Sequence, residues 1–259
     1  MKPEDVESVG VLGGGFMGSG IAQTVILAGY KVICRDLTDE IIEKTRDTII
    51  NGRFGLKGGI ERGKLTQEQM DKALAKLTLT TKVEDLGNCD VLIEAIGNGS
   101  GGELENKDTK LKVFAELDTV VKKEAVFASN TSRFTIADMA AATKRKDKFI
   151  GMHWLSPANL MKVVEIIWTA DNSEETIQLI EGLCKKCSKI SVRVKDVPGD
   201  TGFIGNRIFY AAGREAQKIV EQGIATPEDI ETVMVLGFQW PVGPLGMRQG
   251  IRADWGQKK

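Results

Sequence analysis

The 259-residue chain contains one histidine, four cysteines, six prolines and only 6% aromatic residues. Each scarcity excludes something. Four cysteines in a chain this long make no disulfide framework, which agrees with a reducing, cytoplasmic setting. Cys184-Lys185-Lys186-Cys187 closes a helix opened by Ser173-Glu174-Glu175, where the helix dipole does not favour a thiolate. No second ligand pair lies nearby, so no metal site is expected. A net charge of −1 leaves no electrostatic footprint for nucleic acid or an anionic membrane, and Lys144-Arg145-Lys146 reads as a solvated turn. No run approaches the roughly 20 apolar residues that a bilayer span needs, and Met1-Lys2-Pro3-Glu4-Asp5 lacks a signal-peptide core. With one histidine, any imidazole chemistry falls to His153.

What is present is ordered. Val9-Gly10-Val11-Leu12 reads as a strand, Gly13-Gly14-Gly15-Phe16-Met17-Gly18 as a glycine turn opening a helix, and Val32-Ile33-Cys34-Arg35 as a second strand ending at Asp36. In this arrangement Gly13 permits the tight turn, Gly15 lets backbone approach a pyrophosphate, and Gly18 lets helix pack on strand, while the helix N-terminus offers N–H groups to the anion. Gly13, Gly15, Phe16, Met17, Gly18 and Asp36 are therefore expected to bind a dinucleotide. Asp36 would bond a ribose 2′-hydroxyl and repel a 2′-phosphate, favouring NAD; Arg35 beside it keeps NADP as an alternative.

Further along, helices are expected over about 39–50, broken at Asn51-Gly52 and Gly58-Gly59, and again from Thr66 to about Leu77, a helical hairpin inserted after the second strand. Apolar runs at 77–81, 91–96, 126–129 and 149–152 alternate with helical stretches at 110–123 and 136–143, which predicts a mostly parallel sheet. Strand-like runs at 162–168 and 189–194 follow. Beyond Asp196-Val197-Pro198-Gly199 the pattern becomes helical, so residues 1–195 are expected to form a nucleotide-binding domain and 196–259 a helical one. The expected fold class is α/β: a Rossmann-type doubly wound sheet with an inserted helical hairpin, then a short, truncated all-helical C-terminal domain.

His153 directly follows 149–152, at the carboxyl end of a strand, where ligands bind in open parallel sheets. The glycine turn, Asp36, the stretch after Ile96 and Ser129-Asn130-Thr131-Ser132 share that edge. A neutral imidazole suits removal of a hydroxyl proton during hydride transfer, and Glu165, inside the apolar run Val163-Val164-Glu165-Ile166-Ile167, could orient it.

The motifs Gly13-x-Gly15-x-x-Gly18, Ser129-Asn130-Thr131-Ser132, Gly151-Met152-His153-Trp154, Met161-Lys162-Val163-Val164-Glu165, Phe203-Ile204-Gly205-Asn206-Arg207 and Trp240-Pro241-Val242-Gly243-Pro244 resemble those of the 3-hydroxyacyl-CoA dehydrogenases. The resemblance implies NAD as cofactor, an acyl-CoA as substrate and a homodimer as the assembly. It implies His153 as general base paired with Glu165, and Ser132 and Asn206 on the substrate's 3-oxygen and thioester region. Glu105, Lys110, Asn130 and Ser132 are implied at the cofactor, and Arg53, Lys57, Arg62 and Lys64 of the hairpin at the CoA phosphates. The chain departs from the family pattern at a glycine-rich insertion near 97–104, at an insertion of 200–202, at Ser156, and after Pro244, where the family's interface helices are not recognised. Two alternatives accompany this reading: oxidation of a free 3-hydroxy acid or other secondary alcohol, and NAD binding without turnover.

Overall fold

The computed structural model describes residues 1–97, 105–199 and 202–248. Of the two departures read as insertions, 98–104 and 200–201 lie outside these residues. The chain divides into two compact units, Met1–Thr201 and Gly202–Lys259.

The first unit alternates strands and helices: β1 Ser8–Leu12, α1 Phe16–Leu27, β2 Lys31–Arg35, α2 Asp39–Asn51, α3 Leu56–Glu61, α4 Gln67–Leu74, β3 Leu77–Thr80, β4 Val91–Glu94, α5 Lys107–Val120, β5 Val126–Ser129, α6 Ile136–Ala140, β6 Phe149–Trp154, β7 Val163–Trp168, α7 Glu174–Lys186 and β8 Ile190–Lys195. One eight-stranded sheet runs in the order β3-β2-β1-β4-β5-β6-β7-β8. All pairs from β3 to β6 are parallel; β7 turns antiparallel to β6 and β8 runs parallel to β7. The sheet is thus mostly parallel, with helices on its faces.

Burial explains the sequence pattern. β4, β5 and β6 are buried along their whole length, so they read as unbroken apolar runs rather than alternating ones. The edge strand β8 is largely exposed. Helix starts follow side-chain caps: Thr38 accepts from the Ile41 N–H, Thr66 from Gln69, Asn106 from Thr109 and Ser173 from Thr176. Among the described residues no helix is long and apolar enough to cross a membrane.

Three expectations need correction. The hairpin is not broken at Gly58-Gly59; these residues sit inside α3, which anchors through buried Leu56, so tertiary packing overrides glycine's poor helix propensity. The helix expected at 110–123 begins at Lys107 and ends at Val120, because Asn106 supplies its cap. β6 extends to Trp154, so His153 lies within the strand rather than after it.

In the second unit, α8 Gly205–Glu221 and α9 Pro227–Thr232 match the helical pattern, with Thr226 capping and Pro227 opening α9. A further helix, α10 Pro244–Arg248, is too short to show a period in the sequence. Ala216, Ile230 and Leu245 form this unit's core.

Candidate active site

The parallel register lines up the strand ends. Leu12 at the end of β1 pairs with Arg35 of β2 and with Glu94 of β4; Glu94 pairs with Ser129 of β5, and Ser129 with Gly151 of β6. Side chains at these ends therefore share one edge of the sheet.

At its β1 end, the glycine turn is built for close approach. Gly13 has φ +99°, the left-handed region that favours glycine, and a Cβ there would strike the Ala95 carbonyl. A Cβ on Gly18 would strike the carbonyl oxygen of Gly13. The space beside Gly15 is open, and Gly15, the N-cap of α1, makes no side-chain cap bond. An open face at Gly15 and the N-terminal turn of a helix fit a dinucleotide's pyrophosphate. Gly14 is held from three sides: its N–H donates to Asp36 Oδ2 at 2.6 Å, and its carbonyl lies 2.6 Å from Ser19 Oγ and 2.9 Å from Thr45 Oγ1. Asp36 Oδ1 accepts from the Leu37 N–H at 2.7 Å. Arg35, the candidate partner for a 2′-phosphate, instead donates its Nε to the Thr81 carbonyl at 3.2 Å. Phe16 is half exposed and Met17 packs against the core.

Between β4 and β5 lies a cluster of charge. Lys110, on α5, is 2% exposed; its ammonium contacts Glu94 Oε1 and lies 3.3 Å from Glu105 Oε2. Glu94 is fully buried and also accepts from Ser129 Oγ at 2.6 Å and from the Ile96 N–H at 2.6 Å. Glu105 accepts from Thr131 Oγ1 at 2.6 Å and from the Ser132 N–H at 3.3 Å, with Ser132 Oγ 3.5 Å away. Glu105, Lys110 and Ser132 thus come together, around a Glu94 that sequence reasoning had not singled out. The available signal was an acid ending a fully apolar strand, Val91-Leu92-Ile93-Glu94. Asn130 spends its side-chain carbonyl on the Trp154 N–H at 2.8 Å, tying β5 to β6.

His153 and Glu165 face each other directly across the antiparallel β6/β7 ladder. His153 Nδ1 lies 2.7 Å from Glu165 Oε2, and both residues are at least 95% buried. A carboxylate only accepts, so the proton of this bond sits on Nδ1, and a neutral imidazole then carries its lone pair on Nε2. The pair can take up a proton at Nε2 while the carboxylate steadies the resulting imidazolium.

Arg53, Lys57, Arg62 and Lys64 all lie exposed on the hairpin, with the Arg53 guanidinium 5.2 Å from the Phe54 ring centroid. Asn206 is half-buried in the first turn of α8, in the second unit. The four cysteines are buried and unpaired, and burial pushes every one of their thiols up. Among the described residues no three His, Cys, Asp or Glu side chains converge as metal ligands do.

Comparison with known proteins agrees with this geometry. Residues 8–197 match the 3-hydroxyacyl-CoA dehydrogenase NAD binding domain, and residues 202–259 match the C-terminal domain of the same family. A probable 3-hydroxybutyryl-CoA dehydrogenase of Deinococcus radiodurans is 36% identical over 245 residues, covering 95% of this chain and 83% of that protein. The mitochondrial hydroxyacyl-coenzyme A dehydrogenase of Rattus norvegicus is 35% identical over 252 residues, covering 96% and 77%. The crystal structure of an (S)-3-hydroxybutyryl-CoA dehydrogenase from Ralstonia eutropha superposes with a TM-score of 0.88 at 36% identity, covering 95% of this chain and 82% of that one. A glycine turn fit for a pyrophosphate, a buried histidine–carboxylate pair and these matches lead to one conclusion: the chain belongs to the 3-hydroxyacyl-CoA dehydrogenase family.

Proposed function

We propose that this protein interconverts an L-3-hydroxyacyl-CoA and the 3-oxoacyl-CoA with NAD, using His153 and Glu165 as its acid–base pair. The observation that carries the reading is the 2.7 Å contact between His153 Nδ1 and Glu165 Oε2 at a buried ladder position. Nε2 of His153 takes the C3 hydroxyl proton in oxidation and returns it in reduction, and Glu165 stabilises the imidazolium between those events. When bound, NAD supplies the hydride acceptor. The open space at Gly15 and the start of α1 receive its pyrophosphate, and Asp36 takes the ribose hydroxyl. Arg35 spends its Nε on the Thr81 carbonyl, and the Asp36 carboxylate repels a 2′-phosphate, which supports NAD over NADP. Ser132 holds the developing C3 oxygen, and Arg53, Lys57, Arg62 and Lys64 meet the CoA phosphates.

The test is NADH oxidation by the purified protein with acetoacetyl-CoA, run beside free acetoacetate and with NADPH in place of NADH. Turnover with the CoA ester and NADH is expected, and His153→Gln should lower kcat by about 10²–10⁴-fold, the usual share of a positioned acid–base group. Equal turnover of the free acid, or a His153→Gln protein with undiminished kcat, would sink the reading.

A further inference from the structure

We infer that Glu94 is a positioning residue that sets Glu105 and the wall of the glycine turn. The inference rests on the reading above of this edge as the cofactor edge.

The contacts close a ring. Glu94 takes the Lys110 ammonium; Lys110 reaches Glu105; Glu105 takes the Thr131 hydroxyl; the Thr131 N–H donates to Ser129 Oγ at 3.2 Å; and Ser129 Oγ donates back to Glu94. Three elements are stitched by it: the end of β4, the start of α5 and the turn after β5. Of its three charged members, Glu94 and Lys110 are at least 98% buried, and only the Glu105 side chain, 20% exposed, reaches towards solvent. The resemblance assigns Lys110 to the cofactor, yet its ammonium is enclosed by two carboxylates, so it acts through Glu105.

Glu94 has a second reach. Its Oε1 accepts from the Ile96 N–H, and the Ala95 N–H donates to the Leu12 carbonyl at 2.8 Å. The backbone of Ala95 and Ile96 fills the space where a Cβ on Gly13 would stand. One carboxylate thus fixes both the strand end that walls the turn and, through Lys110, the orientation of Glu105.

Stability alone does not call for this arrangement. A buried ion pair is commonly no better than an apolar replacement, and this cluster holds two carboxylates against one ammonium, so its charges do not cancel.

The test is a double-mutant cycle read on NADH affinity by fluorescence titration, which needs no turnover. Glu94→Gln is expected to weaken NADH binding at least fivefold in the native background and less than twofold in a Glu105→Gln background, because the amide carbonyl still accepts from the Ile96 N–H while the lost ion pair to Lys110 acts only through Glu105. Equal factors in the two backgrounds, or unaltered affinity in the native one, would overturn the inference. If Glu94→Gln fails to fold, Ser129→Ala, which removes the hydroxyl that donates to Glu94 Oε2 and accepts from the Thr131 N–H, is carried through the same cycle with the same criteria. A native protein that shows the coupling but does not turn over acetoacetyl-CoA would refute the proposed substrate and leave Glu94's role intact.

Discussion

The two ends of β4 carry carboxylates that look alike in the sequence and differ in what they hold. At the amino end, Asp90 is capped by main chain: its Oδ2 accepts from the Glu7 and Ser8 N–H groups, each at 2.9 Å, and from Ser8 Oγ at 3.0 Å, while Oδ1 meets Lys122 at 2.5 Å. Lys122 keeps a third of its side chain in solvent. At the carboxyl end, Glu94 sits in full burial and holds a buried lysine and a serine hydroxyl. Asp90 pins a strand to its neighbour. Glu94 arranges side chains, Lys110 and through it Glu105, at the sheet edge where the cofactor is proposed to bind. A buried acid points to chemistry when its partners are other side chains able to act, and to architecture when its partners are backbone N–H groups.

Four experiments would break or sharpen that contrast. The largest effect is expected from Lys110→Met, which leaves Glu94 buried without its cation: about 3 kcal/mol or more of stability should be lost, measured by urea unfolding. A loss below 1 kcal/mol would mean that Glu94 is neutralised by other means. Asp90→Ala should cost about 1–3 kcal/mol, the scale for orphaning bonded polar groups, while kcat stays within twofold of the native value. A collapse of kcat would erase the distinction between the two ends.

The third experiment uses pH. Burial pushes the Asp90 carboxyl up, but Lys122 and the Ser8 and Glu7 groups outweigh it and hold it below the ordinary aspartate range. Its stabilisation is therefore complete above the usual aspartate pKa and is lost as pH falls through the lowered folded value. Asp90→Asn should flatten the acid limb of the stability curve and leave the neutral range parallel to native; an unchanged acid limb would contradict the assignment. The smallest effect belongs to Thr45→Val. Thr45 Oγ1 shares its single proton between Gly14 O and Ile41 O, so NADH affinity should fall about two- to fivefold, with kcat unaffected.

Legibility followed the range of the interactions. The glycine turn and Asp36 announce themselves because backbone geometry demands glycine at fixed spacings, and the β6/β7 pair because a carboxylate inside an apolar run needs a partner. Alternation of apolar runs and capped helices conveyed the sheet and its crossover helices. Thr45 and Ser19 left no signal: a threonine or serine in a helix is ordinary, and only the fold brings their hydroxyls to Gly14. Glu94 stayed hidden because its partners come from separate elements, with Lys110 sixteen and Ser129 thirty-five residues away. The antiparallel turn of β7 was equally silent, since a run buried on both faces carries no mark of direction.

That antiparallel turn has an evolutionary consequence. Because His153 and Glu165 are ladder neighbours, the length of chain joining them is immaterial to their meeting. Residues can be gained or lost between Leu155 and Lys162 without parting the two side chains, whereas sliding β7 by one step would turn Glu165 to the opposite face of the sheet. Drift in the connection would leave the two side chains facing and drift in the register would part them, so relatives with connections of other lengths will keep a carboxylate opposite the imidazole.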